Sequence, residues 1–375
     1  CEGMRCYSAR EDTKSTKKTL QLNNGRRMPV VGLGTWKSKL GKTSDAVYHA
    51  VKVAGYRMID TSNDYNNEAE VGKALKKLFD EGVVRRDQLF IQSKLWNSNH
   101  KKELVKPDLV ATLKDLQLDY VDSFIIHWPQ ACPGTGEALS VRANGAHSAP
   151  ADQGTMFPYD PETKLFLSDN KTHFAETWQA MERLVDEGLA KSIGLSNFNK
   201  TQIQEILDMA RIKPVILQNE CHPYLQQKDL LDFCTFQDIV FQAYSPLSSR
   251  DSPFRKANDP ELLDDSRITK IAKKYRKSAA QIVLRWHLQA GHSVVPKSIT
   301  PSRIEENIQI FDFALTRAEM DCIGGMNCGW RILLWPQTSM HPDYPFKDEL
   351  PYGFQIPPAI AIEPPTKGKD EQKEK

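Results

Sequence analysis

Eight short runs rich in β-branched and apolar residues recur along the chain, at 30–35, 57–61, 89–95, 121–128, 192–197, 215–220, 239–245 and 293–298. Longer amphipathic runs lie between them, at 44–54, 67–81, 103–116, 172–187, 200–210, 226–234 and 278–289. Strands that alternate with helices pair in parallel, because each helix carries the chain back to the starting edge of the sheet. Eight is the strand number that closes such a sheet. The spacing therefore predicts an α/β fold, a (β/α)8 TIM barrel. A doubly wound open sheet is the alternative. It would show G-x-G-x-x-G after its first strand. Here Gly32-Leu33-Gly34 runs on into Thr35-Trp36-Lys37 with no third glycine in register.

Local signals punctuate this pattern. Asn24-Gly25 between 20–22 and 28–31 reads as an N-terminal β-hairpin. Thr43 or Ser44, and Ser278, are candidate helix N-caps, and Gly55 and Gly188 are candidate stops. Two segments break the rhythm, a long loop at 130–171 and a shorter one at 248–260. Both follow strands, at the C-terminal face where barrel enzymes carry their working loops. A proline-rich irregular segment spans 330–358. One barrel domain is expected over 20–358, with a flexible tail at 1–19 and a disordered tail at 359–375.

Composition excludes several classes. A net charge of +2 over 375 residues, with no basic stripe, argues against a nucleic-acid partner. No apolar run reaches the ~18 residues of a membrane span, and the first residues lack a signal peptide's apolar core. The seven cysteines are scattered, without C-x-x-C or zinc spacing. That points to reduced thiols, a cytoplasmic setting and no metal.

A barrel demands that its chemistry sit at the C-terminal ends of strands. The apolar runs turn polar there, at Asp60, Lys94, His127, Ser196-Asn197, Gln218-Asn219, Tyr244-Ser245 and Lys297-Ser298. Tyr65 follows the second run. A phenol titrates near ~10, and a nearby ammonium lowers that value. Lys94, aimed by Asp60, is expected to tune Tyr65 in this way, and the His127 imidazole to donate to the same oxygen or orient the substrate. This set suits reduction of a carbonyl to an alcohol. Trp36, Trp96 and Trp128 at three strand ends would line an apolar pocket. Two other readings stand: Schiff-base aldolase chemistry at Lys94, and a barrel kept as a non-catalytic sensor or structural module.

Three stretches carry a family resemblance. They are Gly55-Tyr56-Arg57-Met58-Ile59-Asp60-Thr61 with Tyr65, Gly188-Leu189-Ala190-Lys191-Ser192-Ile193-Gly194-Leu195-Ser196-Asn197-Phe198, and Val295-Pro296-Lys297-Ser298-Ile299-Thr300-Pro301-Ser302-Arg303. Together they resemble the aldo-keto reductase family. The likeness covers 20–330 and resumes at 341–346; Glu220-Cys221-His222-Pro223-Tyr224-Leu225 is similar to its aldehyde reductase subgroup. The resemblance implies an NADPH-dependent, monomeric reductase of small-molecule carbonyl substrates, with Tyr65 as general acid, Asp60 and Lys94 as its tuning pair and His127 orienting the substrate. It implies that Ser196, Asn197 and Gln218 hold the nicotinamide carboxamide and that Tyr244 stacks on the ring. Lys297, Ser298 and Arg303 would meet the 2′-phosphate, and Glu306 and Asn307 the adenine. Gly34, Thr35, Trp36, Ser245, Leu247, Ser249, Ile299 and Thr300 complete the implied cofactor contacts, and Lys37, Asp251 and Lys297 would form a strap over the pyrophosphate. The loop after His127 looks longer than is usual in the family. The loop after Arg331 looks shorter and lacks a later arginine that meets carboxylated substrates. The substrate, expected among sugar-derived, uronate-type or aromatic aldehydes, is therefore not inherited from the subgroup.

Overall fold

In the computed structural model of the chain, the structure describes residues 18–39, 41–134 and 167–350. Eight parallel strands form one sheet, in the order β10-β9-β8-β7-β6-β5-β4-β3. They are β3 (Leu33–Gly34), β4 (Met58–Asp60), β5 (Phe90–Leu95), β6 (Ser123–Ile126), β7 (Ile193–Ser196), β8 (Ile216–Glu220), β9 (Val240–Tyr244) and β10 (Ser293–Val294). Parallel bridges Val31↔Val294 and Gly34↔Lys297 join the first strand to the last. Gly32 N donates to Val294 O at 2.9 Å and Gly34 N to Pro296 O at 3.1 Å, so the sheet closes into a barrel. Every run read from the sequence contains one of these strands. The strands are shorter than the runs, and Pro296, with no N–H to give, helps to end the last one early.

The hairpin pairs β1 (Thr19–Gln21) with β2 (Arg27–Pro29) in antiparallel register, Leu20 opposite Met28. Thr19 thus belongs to the folded unit rather than to the tail. Leu22 and Met28 pack with Met58, Phe90 and Ile216, the first residues of three barrel strands. The hairpin therefore plugs the end opposite the polar strand termini. Residues 1–17 and 359–375 of the expected tails, 351–358 at the end of the expected domain, and most of the long loop, 135–166, lie outside the described residues.

The helices are α1 (Thr43–Lys52), α2 (Glu68–Asp80), α3 (Lys102–Leu116), α4 (Phe174–Asp186), α5 (Lys200–Met209), α6 (Lys228–Phe236), α7 (Ser266–Tyr275), α8 (Ala279–Gln289), α9 (Pro301–Ile308) and α10 (Arg317–Gly324). Ser278 caps α8 through a capping box with Gln281. Thr43 and Ser44 do not cap α1. Their amides, with that of Gly41, are met by the Glu70 carboxylate of α2 at 2.6–3.4 Å. An acid on a neighbouring helix does the work of a local cap. Gly55 and Gly188 adopt positive φ, as stops require. Helix α7 was not legible as a helix. Its face of Ile268, Ile271 and Ala272 is buried, but the stretch is otherwise strongly basic and polar. Among the described residues no helix is long and apolar enough to cross a membrane.

Helices α2 and α3 meet at Gly72. A Cβ there would lie 2.2 Å from Asp115 O and 2.9 Å from Leu116 Cα. Gly-to-Ala inside a helix ordinarily stabilises by about 1 kcal/mol. Here the clash with backbone is expected to reverse the sign, with Gly72→Ala losing about 1–3 kcal/mol in urea unfolding; a stabilised variant would show that the two helices are not in this contact.

Candidate active site

The polar ends of the strands converge on one buried group. Asp60 ends β4 and Lys94 lies in β5, on neighbouring strands. Lys94, with no exposed side-chain surface, donates to Asp60 Oδ1 at 3.0 Å, Asp60 Oδ2 at 2.9 Å, Thr61 O at 2.9 Å and Tyr65 Oη at 3.0 Å. Asp60 Oδ1 also accepts from Gln92 at 2.7 Å and Gln218 at 2.9 Å, and both amides donate to Gln242 Oε1. The buried carboxylate is thus ringed by donors, as a charge in a barrel interior requires. Lys94 is committed to these acceptors. That argues against the amine as a Schiff-base nucleophile.

Tyr65 sits in the short helical turn Asn63–Tyr65 after β4. An ammonium can only donate, so the contact with Lys94 uses a lone pair of the phenol oxygen. The phenol's own hydrogen is left for another acceptor. The expectation of a lowered Tyr65 pKa is not met. Burial first, then the charges of Asp60 and Asp64, push the phenol well above its ordinary value. The charge of Lys94 is already balanced by Asp60, which is why its presence alone misled.

His127 follows β6. Its Nδ1 lies 3.1 Å from Asp64 Oδ1 and 3.3 Å from Ser62 Oγ, and its ring meets Tyr65 and Trp96 edge-on, at 5.9 and 5.1 Å between centroids. Burial raises the Asp64 carboxyl, but His127, Ser62 and Lys94 outweigh it and hold the group below its ordinary value. Neither Asp64 nor Ser62 was among the residues singled out from the sequence.

Trp96 and Trp128 fall in one buried cluster. Trp335, from the C-terminal irregular segment, packs between them, stacked on Trp96 at 5.8 Å and edge-on to Trp128 at 5.2 Å. Trp36 is half-buried, with the Lys37 ammonium 5.3 Å above its ring, and is not part of this cluster. The segment that brings Trp335 is held by Glu220, at the end of β8. This fully buried carboxylate accepts from the amides of Ile332 and Leu333, each at 2.8 Å, and from His222 at 3.0 Å. Arg331 is engaged with Glu349 at 2.6 and 2.7 Å. At the base of the long loop, Cys132 N donates to Asn97 O and Asp169 N to Ala131 O.

The residues expected to hold a cofactor form an arc along the same face. Asn197 donates to His127 O at 2.9 Å and accepts from Tyr244 Oη at 2.8 Å, while Ser196 Oγ donates to Gln218 O at 2.7 Å. Ser249 Oγ donates to Ser245 Oγ, and Leu247 packs against the core. Asp251 lies between two ammonium groups, 3.6 Å from Lys37 and 3.5 Å from Lys297. Helix α9 follows, its cap Thr300 making no side-chain bond and its first turn holding no acidic residue. Ser298 Oγ accepts from Thr300 N, Arg303 is exposed, Asn307 is buried and Glu306 accepts from Ser278 at 2.6 Å. Gly34 lies against Val295 O, where a Cβ would approach to 2.7 Å. Among the described residues one buried group, Cys221, His287 and His292, brings possible metal ligands together. Its two imidazoles already bond each other at 3.0 Å, and His287 Nε2 lies 3.3 Å from Pro246 O.

Comparisons with known proteins agree with the fold. Residues 30–327 match the model of the Aldo/keto reductase family. The chain is 43% identical over 338 residues to aldo-keto reductase family 1 member A1 of Gallus gallus, covering 87% of this chain and 97% of that protein. The human protein of the same name is 42% identical over 337 residues, with 87% and 97% covered. Among solved structures, the aldose reductase of Schistosoma japonicum superposes with a TM-score of 0.79 at 40% identity, covering 89% of this chain and all of that one. A Bombyx mori aldo-keto reductase in complex with NADP gives 0.74 at 37% identity, with 87% and 98% covered. The chain belongs to the aldo/keto reductase family.

Proposed function

We propose that this protein reduces aldehydes, with ketones as a second class, to alcohols with NADPH, and that Tyr65 gives the proton to the carbonyl oxygen. One observation carries the reading. Lys94 donates to the Tyr65 oxygen at 3.0 Å, which turns the phenol's hydrogen away from Lys94 and makes it available to a substrate. The fit to the cofactor rests on α9. Its uncapped start, free of acidic residues and flanked by Lys297, Ser298 and Arg303, is built for a dianionic phosphate. In this reading Ser196, Asn197 and Gln218 hold the carboxamide, Tyr244 backs the nicotinamide, and Lys37 and Lys297 close over the pyrophosphate through Asp251. Glu306 and Asn307 meet the adenine.

When bound, NADPH supplies a hydride to the carbonyl carbon. The chain's residues do the rest. The aromatic wall of Trp96, Trp128 and Trp335 takes the substrate's apolar part and excludes water. Tyr65, kept neutral by burial, gives its Oη proton to the carbonyl oxygen as that oxygen gains negative charge, and is left as phenolate. Lys94, already hydrogen-bonded to the phenol oxygen, stabilises the phenolate as the proton leaves, and Asp60 keeps Lys94 in place. The wall favours aromatic aldehydes; sugar-derived and uronate-type aldehydes are the other candidates. The catalytic unit is the stretch 19–358, taken as a monomer. The described cysteines are all free, which supports a reducing, cytoplasmic setting.

Oxidation of NADPH with glyceraldehyde, nitrobenzaldehyde and glucuronate tests the activity, and turnover is expected first with nitrobenzaldehyde. Tyr65→Phe is expected to bind NADPH normally and lose about 10²–10⁴-fold in turnover. Near-normal turnover would remove Tyr65 from its role. Lys297→Met is expected to raise the Michaelis constant for NADPH far more than that for NADH, and equal effects on both would refute the 2′-phosphate assignment.

A further inference from the structure

Asp64 has no part in the scheme above, yet its carboxylate lies against Nδ1 of His127. Its Oδ1 lies 3.1 Å from Nδ1, and the Ser62 hydroxyl donates to the same oxygen. Ser62 Oγ is itself 3.3 Å from Nδ1. The Asp64 side chain is 8% exposed, and the Ser62 hydroxyl and the charge of Lys94, neither of which depends on the state of His127, favour its ionised form. An ionised carboxylate only accepts. Ser62 has given its one hydrogen to Asp64, so toward the ring it too can only accept. Both neighbours of Nδ1 therefore require a donor there.

A neutral imidazole carries one hydrogen. With that hydrogen on Nδ1, Nε2 holds a lone pair and cannot donate to a carbonyl oxygen. Only the imidazolium, with hydrogens on both nitrogens, can. The other groups about the ring do not undo this. Tyr65 and Trp96 meet it edge-on. His100, buried and pushed down to about 3 by that burial, is neutral. Lys94 acts through Asp64, favouring its charged form.

We propose that Asp64 is a positioning residue that fixes His127 as the Nδ1–H tautomer, so that the imidazole assists the carbonyl oxygen only when protonated. This rests on the reductase reading for its consequence, but not for its geometry. The consequence is a loss of kcat/KM as pH rises through the titration of His127, a limb separate from that of Tyr65. Removing Asp64 frees the Ser62 hydroxyl to donate to Nδ1. The neutral ring then carries its hydrogen on Nε2, where it can donate without being protonated.

The tautomer is read directly by long-range ¹H–¹⁵N NMR of the full chain labelled at histidine, with His127→Asn to assign the signal. Wild type is expected to show neutral His127 with its hydrogen on Nδ1, and Asp64→Leu with it on Nε2. Asp64→Asn, close in shape and able to donate to Nδ1, serves as the second variant if the leucine disturbs folding. In turnover of a neutral aldehyde, the pH limb that coincides with the His127 titration is expected in wild type and absent from the variants. An Nε2–H tautomer in wild type, or an unchanged tautomer and pH profile in both variants, would overturn the proposal. The spectra need no turnover, so a failure to reduce any aldehyde would count against the reductase reading alone.

Discussion

The ion pair between Lys94 and Asp60 is the contact on which the polar mouth depends. Both side chains lie inside the barrel, the lysine without exposure and the aspartate at 5%. Leaving either charge alone in such a place costs about 3–5 kcal/mol. The barrel meets this demand with a ring of donors and acceptors, from Gln92 on β5, Gln218 on β8 and Gln242 on β9. Strands far apart in sequence are tied to one another by the same atoms that hold the charge. The mouth is therefore set by the barrel's closure rather than by any single loop.

Above that pair, the two side chains proposed to face the carbonyl oxygen have different partners. Tyr65 takes a hydrogen bond from Lys94 and is kept protonated by burial and by the carboxylates of Asp60 and Asp64. His127 meets Asp64 and Ser62 through Nδ1, the atom on which we propose its hydrogen is held. Asp64 thus acts on both, holding the proton on one group and directing it on the other. The aromatic wall is assembled independently. Glu220 binds the backbone of the C-terminal segment, and that grip carries Trp335 to Trp96 and Trp128.

The barrel was legible because a parallel sheet covered by helices leaves its strands as short apolar runs, and the polar residue at the end of each run marked the mouth. Asp60, Lys94 and His127 were therefore visible as positions. What Tyr65 does with its proton was not. That depends on burial and on Asp64, which is adjacent in sequence but whose partner His127 is brought to it only by the fold. Trp335 was hidden for a similar reason. It lies in a proline-rich stretch without periodicity, in a left-handed conformation, and its partners come from distant strands. Helix α7 and the Glu70 cap of α1 were missed because a basic surface and a neighbouring helix supplied what local signals did not.

The central claim is that Tyr65 is an acid whose proton is held by its surroundings until a carbonyl oxygen takes it. Ultraviolet titration of phenolate absorbance, wild type minus Tyr65→Phe, reads this without any substrate. The account predicts no phenolate from Tyr65 at or below the ordinary phenol value of about 10. A phenolate forming near pH 8 would contradict it, and would mean that Lys94 rather than the carboxylates controls the phenol.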